Sequence, residues 1–315
     1  MPPEGATPRV ATSSNRKRGD VARKSKLHSG QELKRFGLFA LIPLVIFTFV
    51  LVVPFFRGIF LTFTNWDGFD SSEFVGFDNY AASLQDDAFW AAMGITLAYV
   101  LASLILVNLI GFGLALLVTI PLKGVNVLRT FFFVPNLIGG VILGLIWQFI
   151  FGQAFPTISE NLSLPFFQEN WLLDTGTAFW ALVIVTVWQM SGYMMIIYVT
   201  GLMSIEKDVL EAAVMDGASG LRTLVSIKLP LMAQAFTISL FLTIRNAFMA
   251  YDVNISLNNG GPYRSTELIS LHVFREAFGF GNFATGQSKA VIMFLIIAIA
   301  ALTQVIISRR FEVQR

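Results

Sequence analysis

The sequence predicts an all-α, polytopic membrane protein with six transmembrane helices, on three observations. Of its 315 residues, 55% are hydrophobic and only 13% are charged, where a soluble domain carries about one quarter charged residues. The apolar residues gather into six long runs, each near the roughly 20 residues needed to cross about 30 Å of hydrocarbon. The segments between the runs divide Lys and Arg unevenly, as the two sides of a membrane do.

Taken in order, residues 1–34 combine Pro, Ser, Lys and Arg with almost no bulky apolar side chain. This composition predicts a disordered, basic cytoplasmic tail. Its charge reads as a topology signal ahead of a lipid-binding patch. A signal peptide does not fit, because the run that follows is too long and lacks a small-residue cleavage site. The six runs fall at about 36–60, 95–119, 130–152, 179–203, 232–253 and 287–308. They divide the chain into a first helix with an external loop (35–91), a five-helix core (92–308) with a polar segment at 205–231, and a short C-terminus (309–315).

Orientation follows from the basic residues. The tail carries Arg9, Arg16, Lys17, Arg18, Arg23, Lys24, Lys26, Lys34 and Arg35. Lys123 and Arg129 follow the second run, Lys207, Arg222 and Lys228 the fourth, and Arg309, Arg310 and Arg315 the sixth. The intervening loops differ. Residues 61–93 have no Lys or Arg but hold Asp67, Asp70, Glu73, Asp78, Asp86 and Asp87; residues 153–177 have none; residues 254–286 hold only Arg264 and Arg275. Both termini and the 205–231 segment are therefore expected in the cytoplasm. Arg57 and Lys289, near outer boundaries, read as snorkelling side chains. Trp66, Trp90, Trp171 and Trp180 fall near the same boundary and read mostly as interface anchors.

Composition also excludes chemistry. The chain has no Cys, and its two histidines, His28 and His272, are far apart, so thiol catalysis, disulfides and a histidine metal centre are not expected. A phosphate-binding Gly-x-x-x-x-Gly-Lys-Ser/Thr pattern is missing, so ATP is not expected to bind this chain.

The 205–231 segment is the most informative. Lys207 to Met215 reads as a short helix with apolar residues at 209, 210, 213 and 214. Asp216-Gly217 is a stop and turn signal, with Gly217 supplying a positive φ that other residues resist. Ser219 can cap a second short helix carrying Leu221, Leu224, Val225 and Ile227. Pro230 marks the start of the fifth span, where a missing N–H is tolerated. Two short helices at an angle make a knob. Ala212, Ala213 and Ala218 let a partner surface come close, and Glu211 offers a carboxylate to a partner Arg. Taken alone, such an element favours an ordinary interfacial helix pair that links two spans.

The spacing decides between these readings. Glu211-Ala212-Ala213, three residues, Gly217, nine residues, then Ile227-x-Leu229-Pro230 resembles the cytoplasmic coupling loop of permease subunits of ABC importers. The stretches Phe131–Asn136, Ile146-Trp147-Gln148-Phe149 and Asn259-Gly260-Gly261-Pro262 followed by Ser265-Thr266-Glu267 are similar to the carbohydrate-uptake branch. The chain is thus identified as a member of the type I ABC importer permeases, similar to the inner-membrane subunits of maltose and multiple-sugar transporters. The resemblance covers nearly everything after the tail. Asn-Asn stands before Gly-Gly-Pro where Thr-Gly is more usual, and the large external domain of some maltose permeases is missing.

What the resemblance implies is a type I ABC importer permease fold and a transport subunit without catalytic residues, metal or cofactor of its own. ATP and Mg would bind two cytoplasmic ATP-binding subunits docked on Glu211, Ala212, Ala213, Asp216, Gly217, Ile227, Leu229 and Pro230. A second homologous permease would complete the path, and an extracytoplasmic solute-binding protein would deliver a sugar. The lipid membrane is implied as surroundings and nucleic acid is not a partner.

Polar groups within spans normally face the bundle interior or a wet cavity. Asn246, Tyr251 and Asp252 in the fifth span, Gln189 and Tyr193 in the fourth and Asn136 in the third are the candidate substrate path. Arg245 and Asp252, seven apart, would share a helix face as a structural pair. Gly140-x-x-x-Gly144, Gly111 and Gly113 read as helix-packing positions. Two alternatives stay open: an ABC permease for glycerol phosphate, an amino acid or a peptide, and a secondary transporter or membrane enzyme. Against the second, neither inverted repeats nor an intramembrane carboxylate relay is evident.

Overall fold

The computed structural model describes residues 36–37, 39–69, 73–120, 123–162 and 170–310. The expected tail (1–34), Asp70 and residues 311–315 lie outside them. Among the described residues the chain is helical, with one isolated β-bridge between Thr64 and Phe74.

The chain divides into two units at Phe60. The first is essentially one apolar helix, α1 (Phe39–Leu61), with a π-turn at Thr48–Val52. Its 23 residues span about 34 Å, enough to cross a membrane.

The second unit holds the other helices. A short α2 (Asp78–Gln85) leads into α3 (Asp87–Leu117). The predicted span at 95–119 starts too late, because the side chain of Asp86 caps the helix by accepting from the Ala88 N–H at 2.8 Å. The helix thus begins at a carboxylate that a hydropathy window reads as loop. Its buried residues include Phe89, Ala92, Met93, Thr96, Tyr99, Val100, Ser103 and Val107, steps of three and four that place them on one face. That face packs on α6 (Thr175–Met203), the central helix: two-thirds of its most apolar window is buried. Gly111 on α3 permits that approach, since a Cβ there would fall 3.0 Å from Met194 Cβ, and Gly192 on the same α6 admits the segment at Phe132, whose carbonyl a Cβ would overlap.

The third and fifth spans are interrupted. After α4 (Val125–Phe133) comes a 3-10 turn, Val134–Leu137, then extended backbone at Ile138 and Gly139. Pro135 lacks an N–H and cannot continue the helix. The chain resumes as α5 (Gly140–Glu160). In the fifth region α8 (Gly220–Leu231) meets α9 (Ala233–Phe248) at a 70° bend. The predicted span at 232–253 is corrected here: α9 is only 16 residues long, and residues 249–251 separate it from α10 (Asp252–Asn258). Because that break lies between them, Arg245 and Asp252 do not share a helix face; Arg245 instead reaches Asn246 Oδ1 at 3.3 Å. After the short α11 (Ile269–Phe274), the sixth span, α12 (Phe283–Arg309), is unbroken. Among the described residues, five helices are long and apolar enough to cross a membrane, and the bent α8–α9 pair, counted as one span, makes a sixth.

A buried node joins three helices. Asn108 on α3 accepts through Oδ1 from Tyr198 Oη at 2.7 Å and Ser239 Oγ at 2.5 Å. Its amide donates to the Leu104 carbonyl at 2.7 Å and to Thr243 Oγ1 at 3.2 Å. Every polar atom of the side chain is satisfied, which removes the penalty of burying it.

Candidate functional site

Three regions carry function-bearing residues. The first is the knob between α6 and α9. Helix α7 (Lys207–Met215) stops where Gly217 turns at φ 74°. The Gly217 N–H donates to the Val214 carbonyl at 3.0 Å and the Ala218 N–H to the Ala213 carbonyl at 2.9 Å. These two bonds are those of a Schellman stop. Ser219 caps α8 by accepting from the Arg222 N–H at 3.3 Å. Glu211, Ala212 and Asp216 are exposed, while Ile227, Leu229 and Pro230 are half-buried. Ala213 departs from the expectation of a small contact residue: it is buried at 6% exposure and supports the turn from inside. Apolar side chains project outward instead, with Val214 70%, Met215 86% and Leu221 72% exposed.

The second region is a polar pocket of about 280 Å³ where the two interrupted spans meet, lined among others by Asn136, Thr186, Gln189, Asn246, Tyr251 and Asp252. Helices α5 and α10 can converge because Gly140 and Gly144 face α10: a Cβ on Gly140 would fall 2.7 Å from Asp252 Cβ, and one on Gly144 would overlap Ser256. The breaks expose backbone carbonyls that a bilayer would leave unsatisfied. Side chains satisfy them: Gln189 Nε2 donates to the Ile138 carbonyl at 3.1 Å, and Ser270 Oγ to the Ala250 carbonyl at 2.9 Å. Gln189 is therefore partly engaged in holding the break. Tyr193 stands apart from this lining and packs against the hydrophobic core.

The third region is a buried ionic network that the sequence reading did not find. Lys289 is 2% exposed and bonds Asp86 Oδ2 at 2.6 Å and Glu276 Oε2 at 2.7 Å, so the snorkelling expectation for Lys289 is corrected. Its ammonium also lies 3.2 Å from His272 Nε2. The other ring nitrogen of His272 lies 3.1 Å from Glu267 Oε1. Glu267 accepts two bonds from Arg264, at 2.6 and 2.7 Å, and one from Arg275 at 2.6 Å. Burial would raise the Glu267 carboxyl, but the bonds from His272 and Arg264 and the charges of Arg264 and Arg275 outweigh it and bring it to about 2. Burial likewise opposes ionisation of Asp86 and Glu276, and Lys289 lowers both. Asp86, His272 and Glu276 offer ligand atoms within 4.8 Å of one another, but the Lys289 ammonium sits among them and supplies the positive charge.

The network holds the Asn258–Thr266 loop. Arg275 donates to the Asn259 carbonyl at 2.6 Å, Asn258 Nδ2 to the Gly261 carbonyl at 2.7 Å, and Thr266 Oγ1 to the same carbonyl at 2.8 Å. Asn254, fully buried, pins the loop's far end by donating to the Thr266 carbonyl and accepting from the Leu268 N–H. Trp171 is also buried, at 7%, and stacks on Phe151 with centroids 5.5 Å apart, so it is not an exposed interface anchor.

Compared with known proteins, residues 108–313 match the family profile of the binding-protein-dependent transport system inner membrane component. The chain belongs to this family. It is a transport subunit, a multi-pass membrane permease that works with a solute-binding protein. A probable starch degradation products transport system permease protein of Thermoanaerobacterium thermosulfurigenes is 42% identical over 89% of this chain and 95% of the relative. A multiple sugar-binding transport system permease protein of Streptococcus mutans is 30% identical over 87% and 95%. The fold is similar to that of a bacterial ABC transporter involved in import of the acidic polysaccharide alginate, with TM-score 0.74 at 20% identity, covering 90% of this chain and 99% of the other.

The permease's knob was legible because its turn chemistry is local. The pocket was only partly so: Asn136, Asn246, Tyr251 and Asp252 were singled out as polar residues within apolar runs, but Thr186 and Tyr99, joined by a 2.5 Å hydroxyl bond, were missed. The signal for the ionic network was Lys289 itself, a charge on the acidic side of the charge map.

Proposed function

We propose that this permease is one membrane subunit of an ATP-driven importer that moves a sugar or oligosaccharide across the cytoplasmic membrane by alternating access. Relatives named for starch degradation products, multiple sugars and diacetylchitobiose support the cargo class. The positive-inside pattern supports cytoplasmic termini and a cytoplasmic knob, with residues 35–91 and 92–308 as the first helix and the core. In this reading two ATP-binding subunits, which hold ATP and Mg, dock on the knob. A second, related permease completes the path, and an extracytoplasmic binding protein delivers the solute.

The observation that carries the reading is the knob. Between two long apolar helices, α7 ends in a fully hydrogen-bonded stop, yet it leaves Glu211 and the apolar Met215 outside. Ordered backbone under exposed apolar side chains is what a docking surface needs. Movement of the docked ATPases would pass along α8, through the 70° bend, into α9 and the pocket at its far end. Rigid-body rocking of this kind needs the packed helices to move as units, and the Asn108 node ties α3, α6 and α9 together.

The test is substrate-stimulated ATPase activity of the reconstituted complex. Glu211→Ala and Gly217→Val should each assemble in the membrane and lose stimulation. Unchanged stimulation in both variants would sink the assigned role.

A further inference from the structure

Asp252, an exposed residue, differs from the carboxylates of the ionic network and from Asp174. Glu267, Glu276 and Asp86 are in ion pairs, and Asp174 accepts from the N–H groups of Gly176 and Thr177. The Asp252 carboxylate, in contrast, makes no hydrogen bond or ion pair among the described residues, although it lies on the pocket wall. No Lys or Arg lines that pocket. Arg245, the nearest base along the chain, donates to Asn246 Oδ1 on the pocket wall at 3.3 Å and is not paired with Asp252. Close packing of Gly140 against Asp252 Cβ fixes where the acid emerges.

We propose that Asp252 makes this pocket select by charge: it accepts neutral or amine-bearing saccharides and rejects acidic ones such as uronate-containing oligosaccharides. The proposal rests on the reading of this pocket as the translocation path. The remaining polar lining consists of amides and hydroxyls, which suit sugar hydroxyls and offer no charge to a carboxylate. An anionic group held about 7 Å from an unpaired carboxylate, at the effective dielectric of a partly wet site, is disfavoured on the order of tenfold or more. An acid in the first turn of α10 also complements the helix dipole. That role does not require the acid to stand on the pocket wall without a partner. Because a permease of similar fold serves an importer of an acidic polysaccharide, the fold leaves charge preference open, and the side chains lining the path must set it.

The chain contains no Cys, which allows a direct test in the assembled transporter. Asn246→Cys places a single thiol of this chain in the pocket lining. Its modification rates by a cationic and an anionic methanethiosulfonate reagent are compared with Asp252 intact and with Asp252→Asn. Assembly of each variant is checked by copurification of the ATPase subunits. The expected result is a cation-to-anion rate ratio that falls about tenfold in Asp252→Asn, with modification slowed by saturating transported sugar. A ratio unmoved by Asp252→Asn, with sugar protection retained, overturns charge selection and leaves the path reading standing. A thiol that sugar never protects, or that neither reagent reaches with or without ATP, overturns both.

Discussion

Replacing Glu267 with Gln should destabilise the permease at neutral pH. The side chain is 1% exposed and holds the charges of Arg264 and Arg275. Displacement of its carboxyl from 4.5 to about 2 corresponds to about 3 kcal/mol. Arg264 is 49% exposed, so screening reduces this to about 2 kcal/mol. In a unit of this size that is a fall of about 5 °C in Tm, read from tryptophan fluorescence of the purified complex. The carboxyl titrates lower in the folded chain than in the unfolded one. Its contribution is therefore complete above about pH 4.5 and is lost as pH falls toward 2. The gap between wild type and Glu267→Gln should hold from pH 7 to 5 and narrow below. Equal melting at pH 7, or a gap that widens on acidification, would refute the reasoning.

Two further substitutions test the packing and the network. Gly192→Ala, whose Cβ would overlap the Phe132 carbonyl, should cost about 3 kcal/mol and reduce monodisperse protein in size-exclusion chromatography; Gly113→Ala, with open space around it, should behave as wild type. Lys289→Met leaves Asp86 and Glu276 without their shared cation and should lower stability by about 3 kcal/mol, measured as a fall in Tm that Lys289→Arg partly restores.

Much of the fold was legible because a bilayer imposes length and composition on each helix. The knob was legible for a different reason: Asp216-Gly217, Ser219 and Pro230 act within a few residues of themselves. What could not be read depends on distant partners. The interruption at 249–251 carries neither Gly nor Pro, and its carbonyl finds Ser270, 20 residues on. Lys289 looked like a snorkelling residue because Asp86, 203 residues away, brings the compensating charge. Tyr193 looked like a path residue from its polarity within an apolar run, and only the rotation of α6 turns it toward the core. Ala213 shows the same limit at short range, since helix phase alone decides whether a small residue faces a partner or its own turn.

The central claim is that the knob faces the cytoplasm and docks an ATPase. In this Cys-free chain, Met215→Cys puts a thiol at a position that is 86% exposed, and a membrane-impermeant maleimide can be applied to vesicles of either orientation. Labelling only in inside-out vesicles, suppressed when the ATP-binding subunits are present, is the predicted result. Labelling from the outer face, or labelling that the ATP-binding subunits leave unchanged, would contradict it.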